Sequence, residues 1–399
     1  MKWSQNSSGA PYRLALGIAA LCAVASASAG HREQAKRMHD RLAGVPPTPA
    51  VLDAMEALVA GGDPVAAAEM ALDHPAFYAV TVKNWATPWT NQEQTAFAPL
   101  NDYSATVIGM VRDGLDFRGL LSENIIYVGE TSGLPAYSAT DNDHYAALEA
   151  SGEDLSDTAV LVQKTQTEVT GLSSGATAGV MTTRAAAKAY FYAGTNRAML
   201  RFTLMNHLCR DLEQLKDNTR PADRIRQDVS RSPGGDSRIF INNCLACHSG
   251  MDPLAQAFAY YDYQYDRDSD PEGTQGHLVY SPGMVQPKYL QNSTTFEAGF
   301  VTPDDRWSNY WRSGPNAVLN WDAAGTGTGT GAKSLGEELA NSGAFAQCQV
   351  TKVFRAVCLR EPEDGADHAQ IGNLVTSFGA HNYDLKPVFA ETAAYCRGD

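Results

Sequence analysis

Apolar residues recur at helical intervals along most of the chain, and helix-capping residues separate the runs. Residues 31–43 form the first run. Thr48 followed by Pro49 predicts the N-cap and the first position of a second helix, because proline lacks the amide hydrogen that this position leaves unpaired. The Gly-Gly-Asp-Pro stretch at 61–64 repeats the pattern and predicts a third helix over 65–72. The chain is therefore expected to open with a series of α-helices.

The clearest amphipathic pattern lies at 197–216. Leucines recur there at spacings of four, four, four and three residues: Leu200, Leu204, Leu208, Leu212 and Leu215. Further helices are predicted over 73–82, 103–112, 116–121, 344–358, 367–378 and 384–395. A short strand is predicted at 125–128 and a Gly/Ser/Thr-rich loop at 171–179. The expected fold class is mainly α.

The first 29 residues have the three parts of an export signal. Lys2 and Arg13 make the N-terminus basic, residues 14–25 are an apolar run of twelve, and Ala27-Ser28-Ala29 is an A-x-A cleavage site. We expect cleavage directly after this site. The mature protein is then periplasmic or extracellular, with no membrane span.

Two alternatives to a cleaved signal are less favoured. A membrane anchor would need a longer apolar segment, because twelve residues are too few to span a bilayer. A lipoprotein anchored through Cys22 would need a small preceding residue, and Leu21 stands there.

The formal net charge of the chain is −14. Signal cleavage removes two basic residues and no acidic ones, which leaves 29 basic and 45 acidic residues and a net charge of −16. Such a chain is not expected to bind nucleic acid or an anionic membrane surface. A basic redox partner or a neutral substrate suits it better.

The most specific chemical motif is Cys244-Leu-Ala-Cys247-His248, which has the C-x-x-C-H pattern of c-type haem attachment. On the first turn of a helix, two thiols three residues apart can both add to the vinyl groups of one haem edge. The histidine that follows lies under the ring, where its imidazole can ligate the iron. We therefore expect one covalent haem c per chain. Export agrees with this expectation, because c-type haem is attached outside the cytoplasm.

The two cysteines have three other interpretations: a zinc half-site, a thiol redox pair and a structural disulfide. Zinc needs two more ligands, usually from a second close pair, and the sequence has no second C-x-x-C. A thioredoxin-like pair is typical of a βαβ context, which the flanking residues lack. Haem attachment is the favoured interpretation.

Four further cysteines remain in the mature chain: Cys209, Cys348, Cys358 and Cys396. An even number in an oxidising compartment favours disulfides. Cys348 and Cys358 lie ten residues apart on one predicted helix, a separation of about 15 Å that no disulfide can bridge. They therefore pair elsewhere or stay free. We expect Cys358 to pair with Cys396 and Cys209 to pair with Cys348.

The function depends on the second axial ligand of the iron. Met251 is three residues past His248 and lies on the same side of the haem, which excludes it. Met284, 36 residues downstream of that histidine on an irregular segment, is the favoured ligand, with packing in a core as its alternative. His277 comes next, and an open or water-bound iron is the remaining possibility. His207, beside the leucine stripe, is expected to be a core histidine rather than a ligand.

Two other groups of residues are candidates for the site. A polar stretch before the motif contains Arg220, Arg224, Arg226 and Arg231. These arginines either meet haem propionates or lie on a solvated loop face, and the second alternative is favoured. Trp85 and Trp89 are expected in a loop, where they pack in the core or, as the alternative, line a pocket.

The motif lies within a longer arrangement of residues. The motif is preceded by Arg41 to Pro49, Gly194 to Arg197 and Leu208-Cys209. It is followed by Asp252-Pro253 and Tyr261-Asp262. The chain closes with Phe345 to Cys348, Phe378 and Tyr383-Asp384-Leu385. In kind and order these segments resemble the planctomycete-type cytochrome-c families, secreted bacterial proteins of unknown function. Together they cover about two thirds of the mature chain.

The resemblance implies secretion and haem binding, and it supplies no substrate. It carries over Cys244 and Cys247 as thioether attachments and His248 as axial ligand. Phe240 stands where small cytochromes c commonly place an aromatic beside the haem. Ala255 replaces a glycine that is common in these families, and a tyrosine replaces phenylalanine before Asp262. Both changes affect packing rather than ligation.

These observations predict a signal at 1–29, a helical N-terminal region at 30–195, a haem-binding region at 196–320 and a C-terminal helical domain at 334–399. The favoured function is one-electron transfer to or from a partner protein. The first alternative is a haem-dependent oxidoreductase, peroxidase- or oxygenase-like, with an open distal site. The second is a scaffold or binding protein of an envelope complex, because the N-terminal region is larger than electron transfer requires.

Overall fold

The computed structural model describes residues 29–290 and 299–398. The predicted export signal, apart from its last residue, lies outside the described residues. Within the described ranges, no helix is long and apolar enough to cross a membrane.

The described chain is mainly helical, as predicted. Its α-helices are α1 His31–Ala43, α2 Pro49–Ala60, α3 Pro64–Leu72, α4 Lys83–Ala86, α5 Asp102–Arg112, α6 Asp143–Ser151, α7 Gln166–Thr170, α8 Arg184–Tyr190, α9 Arg197–Thr203, α10 Ser237–Ile239, α11 Leu245–Ala255, α12 Gly331–Ala340, α13 Gly343–Cys358, α14 Gly365–Ala380 and α15 Leu385–Tyr395. Single π-helical segments occur at Phe77–Val82, Leu204–Leu208 and Phe240–Cys244. Short 3₁₀ turns join many of these elements, among them Thr87–Thr90, Phe117–Leu121 and Leu212–Gln214.

The capping chemistry of the N-terminal helices is confirmed. The Thr48 hydroxyl accepts a hydrogen bond from the Val51 amide at 3.3 Å, and the Asp63 carboxylate accepts one from the Ala66 amide at 3.0 Å. Each bond satisfies an amide that the first turn of a helix leaves without a partner. Local sequence therefore fixes where α2 and α3 begin.

The strands of the described residues form small antiparallel pairs. They are β1 Ile126–Gly129 with β2 Leu161–Lys164, β3 Tyr261–Gln264 with β4 His277–Tyr280, and β5 Arg306–Ser308 with β6 Thr328–Thr330. The strand predicted at 125–128 is confirmed as β1. The others are three or four residues long, too short to leave a periodic pattern in the sequence.

The first and last helices of the chain pack together. α1 and α3 contact α15, and α1 also contacts α13. The Phe77 and Phe389 rings meet edge to face at 5.1 Å, and Trp85 meets Phe389 at 5.6 Å. One hydrophobic core contains residues of all three regions that the sequence suggests.

Two disulfides tie this core, and both predicted pairings are confirmed. Cys209–Cys348 joins the end of the second π-helical segment to α13, with Cα atoms 5.3 Å apart. Cys358–Cys396 joins the ends of α13 and α15, with Cα atoms 5.4 Å apart. Such bonds are compatible with an extracellular or periplasmic protein.

The long helix predicted over 197–216 is wrong in its second half. The helical run ends at Leu208, and Cys209 takes a left-handed conformation with φ 53°. A 3₁₀ turn follows, capped by the Asp211 carboxylate, and the Asp211 amide in return donates a hydrogen bond to Gln214 Oε1 at 3.0 Å. The disulfide of Cys209 and this capping box redirect the chain, so tertiary bonding overrides the leucine periodicity.

The loop predicted for the two N-terminal tryptophans is also wrong. Trp85 lies on α4 and Trp89 in the following 3₁₀ turn. Trp89 is buried and Trp85 half-buried, as core packing requires. Both also line a cleft, so core packing and the lining of a pocket are both observed for these residues.

Replacing both cysteines of a disulfide by alanine is expected to destabilise the fold. Loop-closure entropy predicts a loss of about 4 kcal/mol for Cys358–Cys396 and about 5 kcal/mol for Cys209–Cys348, because the bonded residues are 38 and 139 positions apart. Urea unfolding of the mature chain, produced without haem and followed by circular dichroism, measures both values.

The matched control is Cys244→Ala/Cys247→Ala, which removes two thiols that close no loop. It is expected to change the unfolding free energy by less than about 1 kcal/mol. Equal losses in all three double variants would contradict the disulfide explanation.

Candidate functional site

The motif lies on a nearly continuous helical run from Ser237 to Ala255, formed by α10, a π-helical segment and α11. Asp236 caps the run by accepting a hydrogen bond from the Arg238 amide. Phe240 is buried in a small cluster with Ile225 and Val229, and this cluster packs against the first motif cysteine. The run is therefore held to the preceding loop by an apolar contact next to the motif.

Cys244 and Cys247 are free thiols, and both are half-buried. They differ in this from the other four cysteines of the described chain, which form disulfides. The Cys247 thiol lies 3.8 Å from the Leu212 carbonyl oxygen. Burial raises the pKa of Cys247, whereas a redox-active thiol needs a lowered pKa to supply thiolate. A structural disulfide and a thiol redox pair therefore fit this site poorly.

The His248 imidazole is held by a carboxylate one helical turn further on. Its Nδ1 lies 3.1 Å from Asp252 Oδ1, and its side chain keeps 21% of its surface exposed. The spacing of four residues places both side chains on one face of α11. Nε2 has no hydrogen-bond partner in the described part of the chain, so this nitrogen is available to a metal. Ligating histidines commonly donate their other ring nitrogen to a carboxylate in this manner.

Asp252 is buried and receives bonds from three separate elements. Arg197, at the start of α9, donates to it from Nε at 2.6 Å and from Nη2 at 2.9 Å. The Arg226 amide donates at 3.1 Å, and the Arg226 guanidinium lies 3.9 Å away. Burial alone raises the pKa of this carboxyl, but the charges of Arg197 and Arg226 outweigh burial and hold the pKa well below its usual range. The side chain that holds His248 is thus an anion at neutral pH.

Arg226 has a structural role. Its side chain is 1% exposed, donates to the Thr195 carbonyl oxygen at 3.2 Å and covers the Tyr289 ring at 4.5 Å. The expectation of a solvated loop face is wrong for this arginine, because the pattern of charges could not reveal a buried anion 26 residues away.

The other three arginines of the loop also have protein partners. Arg220 pairs with Asp217 at 2.9 Å, Arg224 donates to the Arg306 carbonyl oxygen at 2.8 Å, and Arg231 donates to the Ile225 carbonyl oxygen at 2.8 Å. Each side chain is half-buried. Their expected contact with haem propionates stays a prediction.

The structure does not bring Met284 to the motif. The residue is 61% exposed on a turn, so core packing, the alternative explanation for it, is wrong. The turn is fixed by bonds from the Ser281 amide to the Tyr260 carbonyl oxygen and from the Gln286 amide to the Ala259 carbonyl oxygen. Both acceptors lie beyond the C-terminal end of α11 at Ala255, more than one helical turn past the motif. Ligation of the iron by Met284 stays a prediction.

The remaining candidate ligands have different environments. His277 is exposed at the start of β4, and Met251 is buried on α11. His207 is buried, with Nε2 at 2.7 Å from the Tyr103 hydroxyl and Nδ1 at 3.4 Å from the Gln349 amide. Both of its ring nitrogens have protein partners, as the core-histidine interpretation predicts.

Sequence reasoning missed the residues that hold the site together. Asp252 was noted only through the resemblance, and Arg197 only as part of a segment. The i, i+4 spacing of His248 and Asp252 on one helix is the signal that could have identified their bond. The partnership with Arg197, 55 positions away, has no local signal.

The chain has no match among protein-family models, curated proteins or solved structures.

The donor set fits a c-type haem better than a free metal ion. In the described ranges no group of three or more His, Cys, Asp or Glu side chains is placed to hold a metal ion, and structural zinc takes four such ligands. Covalent attachment of haem requires fewer side chains, namely two free thiols and one oriented imidazole. Cys244, Cys247 and His248 supply these groups.

Replacing the buried anion by Asp252→Asn is expected to lower the unfolding free energy by about 3–5 kcal/mol, because it removes the carboxylate that faces the buried Arg226 guanidinium and leaves Arg197 paired with Asp228 alone. The control Asp53→Asn removes an exposed carboxylate that pairs with Arg32 and is expected to cost less than about 1 kcal/mol. Urea unfolding at pH 7 measures both. Similar losses of unfolding free energy in the two variants would show that the buried Asp252 carboxylate stabilises the fold no more than the exposed Asp53 carboxylate does.

The stabilisation by Asp252 is expected to depend on pH in a defined direction. Its folded pKa is lowered, whereas the unfolded value is about 3.9. The contribution is therefore complete above about pH 5 and is lost as the pH falls through the folded pKa. The difference in stability between the parent chain and Asp252→Asn should stay constant from about pH 5 to 8 and shrink below about pH 4. A difference that grows on acidification contradicts this assignment.

Proposed function

We propose that the chain is an exported c-type cytochrome-like protein with one haem c, bound through Cys244 and Cys247 and ligated by His248. The observation that carries the proposal is the bond between His248 Nδ1 and the buried Asp252 carboxylate. It fixes the ring and leaves Nε2 for the iron. The free, half-buried state of the two thiols supports the same conclusion.

One-electron transfer with a partner protein is the favoured activity. When bound, haem c supplies a one-electron iron couple. The residues of this chain orient the imidazole, enclose the first motif cysteine beside the Phe240 cluster and hold a fixed negative charge next to the axial ligand. The acidic surface expected of the mature chain favours a basic partner. The two disulfides and the motif agree with export before haem attachment.

A haem-dependent oxidoreductase with an open distal face is the second candidate. Two observations favour it. The turn that carries Met284 is anchored at the far end of the motif helix, and an anionic partner makes His248 a stronger donor to the iron. A strong axial donor favours chemistry at an open sixth position over simple electron carriage.

Production in a host that attaches c-type haem is expected to give a protein with one covalent haem. The mass of the denatured chain increases by one haem, and the alkaline pyridine spectrum is that of two thioether bonds. Cys244→Ala and Cys247→Ala should each shift this spectrum to the single-thioether form, and the double variant should carry no covalent haem. The control Cys209→Ala/Cys348→Ala should keep it, since those residues form a disulfide. A parent chain without covalent haem would refute the proposal.

Optical spectra of the haem protein separate the two candidate activities. An oxidised band at about 695 nm that disappears in Met284→Ala but persists in Met251→Leu indicates His/Met ligation and an electron carrier. A high-spin oxidised spectrum that shifts on addition of cyanide indicates an open iron and favours the oxidoreductase. In the second case Met284→Ala is expected to leave the spectrum unchanged.

A further inference from the structure

A cleft of about 880 Å³ has a lining that includes neither the motif cysteines nor His248, although one of its walls adjoins the Leu212 carbonyl oxygen that contacts Cys247. Its walls are the segment with Trp85 and Trp89, the residues 205–214 that follow α9, and one face of α13. The Cys209–Cys348 disulfide is part of the lining and fixes two of these walls to each other. We call it the Trp89 cleft.

One wall of the Trp89 cleft is aromatic and firmly held. The rings of Trp85 and Trp89 meet edge to face at 4.5 Å. Trp89 also packs edge to face on the buried His207 ring at 5.3 Å, and its carbonyl oxygen accepts a hydrogen bond from Tyr190 at 2.6 Å. Trp89 is only 3% exposed and Lys352 lies over its ring, so the surface that this wall offers to a flat apolar ligand is mainly that of the half-buried Trp85.

The cleft also contains a lysine with an unusual environment. Lys352 Nζ lies 4.3 Å from the centre of the Trp89 ring and donates to the Asn206 carbonyl oxygen at 2.5 Å. In the described residues it has no carboxylate partner. Its amine lies deep among protein atoms although the side chain as a whole is half-buried; burial, with a smaller effect from the Arg355 charge, lowers the pKa of Lys352 well below its usual range. A bound anion would stabilise the protonated form of the Lys352 amine, which water solvates poorly at this position.

The charges around the cleft are opposite in sign to the charge of the chain. Arg210 lines the cleft, is exposed and bonds only to the Cys209 carbonyl oxygen among the described residues. The other charged lining groups have partners: Arg355 pairs with Glu361 at 2.6 Å and Asp211 with Arg201 at 2.7 Å. Among the described residues, one guanidinium and one amine without carboxylate partners therefore line one cavity in a chain of net charge −14.

We propose that the Trp89 cleft binds a small organic anion with a flat apolar body, of the aromatic carboxylate class. The tryptophan wall takes the ring, and Lys352 and Arg210 take the carboxylate through charge-assisted hydrogen bonds. A small inorganic anion would leave the aromatic wall bare, and a neutral aromatic would leave both cations without a partner. The site requires no haem, so anion binding can be tested independently of the proposed redox function.

Isothermal titration calorimetry of the mature protein with benzoate tests the proposal. Acetate, benzyl alcohol and benzylammonium are matched probes that lack the ring, the charge or the sign of the charge. Benzoate is expected to bind at least about tenfold more tightly than each of them, because one charge-assisted bond in a partly desolvated site is worth about that factor. Equal affinity for benzoate and benzyl alcohol, or no binding of benzoate, overturns the proposal.

Variants locate the binding within the cleft. Lys352→Met is expected to weaken benzoate binding about tenfold, and Arg210→Met, at the exposed rim, several-fold. The control Lys333→Met makes the same change of charge on α12, outside the cleft, and should leave the affinity unchanged. Circular dichroism establishes that each variant is folded. If Lys352→Met does not fold, Arg210→Met decides alone, and unchanged affinity in that variant refutes the assigned site.

Discussion

The buried carboxylate of Asp252 is the interaction on which the site depends. It connects Arg197 at the start of α9, the Arg226 loop and His248 on α11, three segments distant in sequence. Burial of one charge is costly, and burial of one anion between two guanidinium groups offsets that cost only when the geometry is good. The arrangement is consequently rigid. The same carboxylate that anchors the fold also fixes the His248 ring, so stability and the orientation of His248 cannot vary independently.

A second constraint on the site is the packing of the C-terminal helices, which two disulfides secure. The C-terminal helices pack on α1 and α3, and the disulfides secure them at Cys348 and at Cys358. Cys209 links this packing to the site, since the disulfide ends the helix that begins at Arg197. The turn that follows places the Leu212 carbonyl oxygen against the Cys247 thiol. The position of the motif therefore depends on helices more than a hundred residues later in the chain.

Local chemistry made much of the fold predictable. Thr48 and Asp63 cap their helices through bonds to amides three residues away, so a short window of sequence contains the whole interaction. The helix predicted to continue through Leu212 fails because Cys209 is bonded to a residue 139 positions away. Arg226 was expected in solvent for the same reason: its partner anion is not a neighbour in sequence. Periodicity describes what a segment prefers, and a distant covalent or ionic bond can outweigh that preference.

The relative placement of the motif residues is the opposite case, because these residues lie within one helical run. Cys244, Cys247, His248 and Asp252 are fixed relative to one another by helical geometry alone, with α11 supplying the i, i+4 contact. The sixth ligand has no such local definition. Met284 is held by backbone bonds to Ala259 and Tyr260 through its flanking residues, each worth about 1 kcal/mol. Its ligation of the iron would have to be compatible with those bonds or outweigh them. Under the proposed function, the choice between a closed and an open iron would therefore depend on this turn, whereas haem attachment would depend on the motif helix.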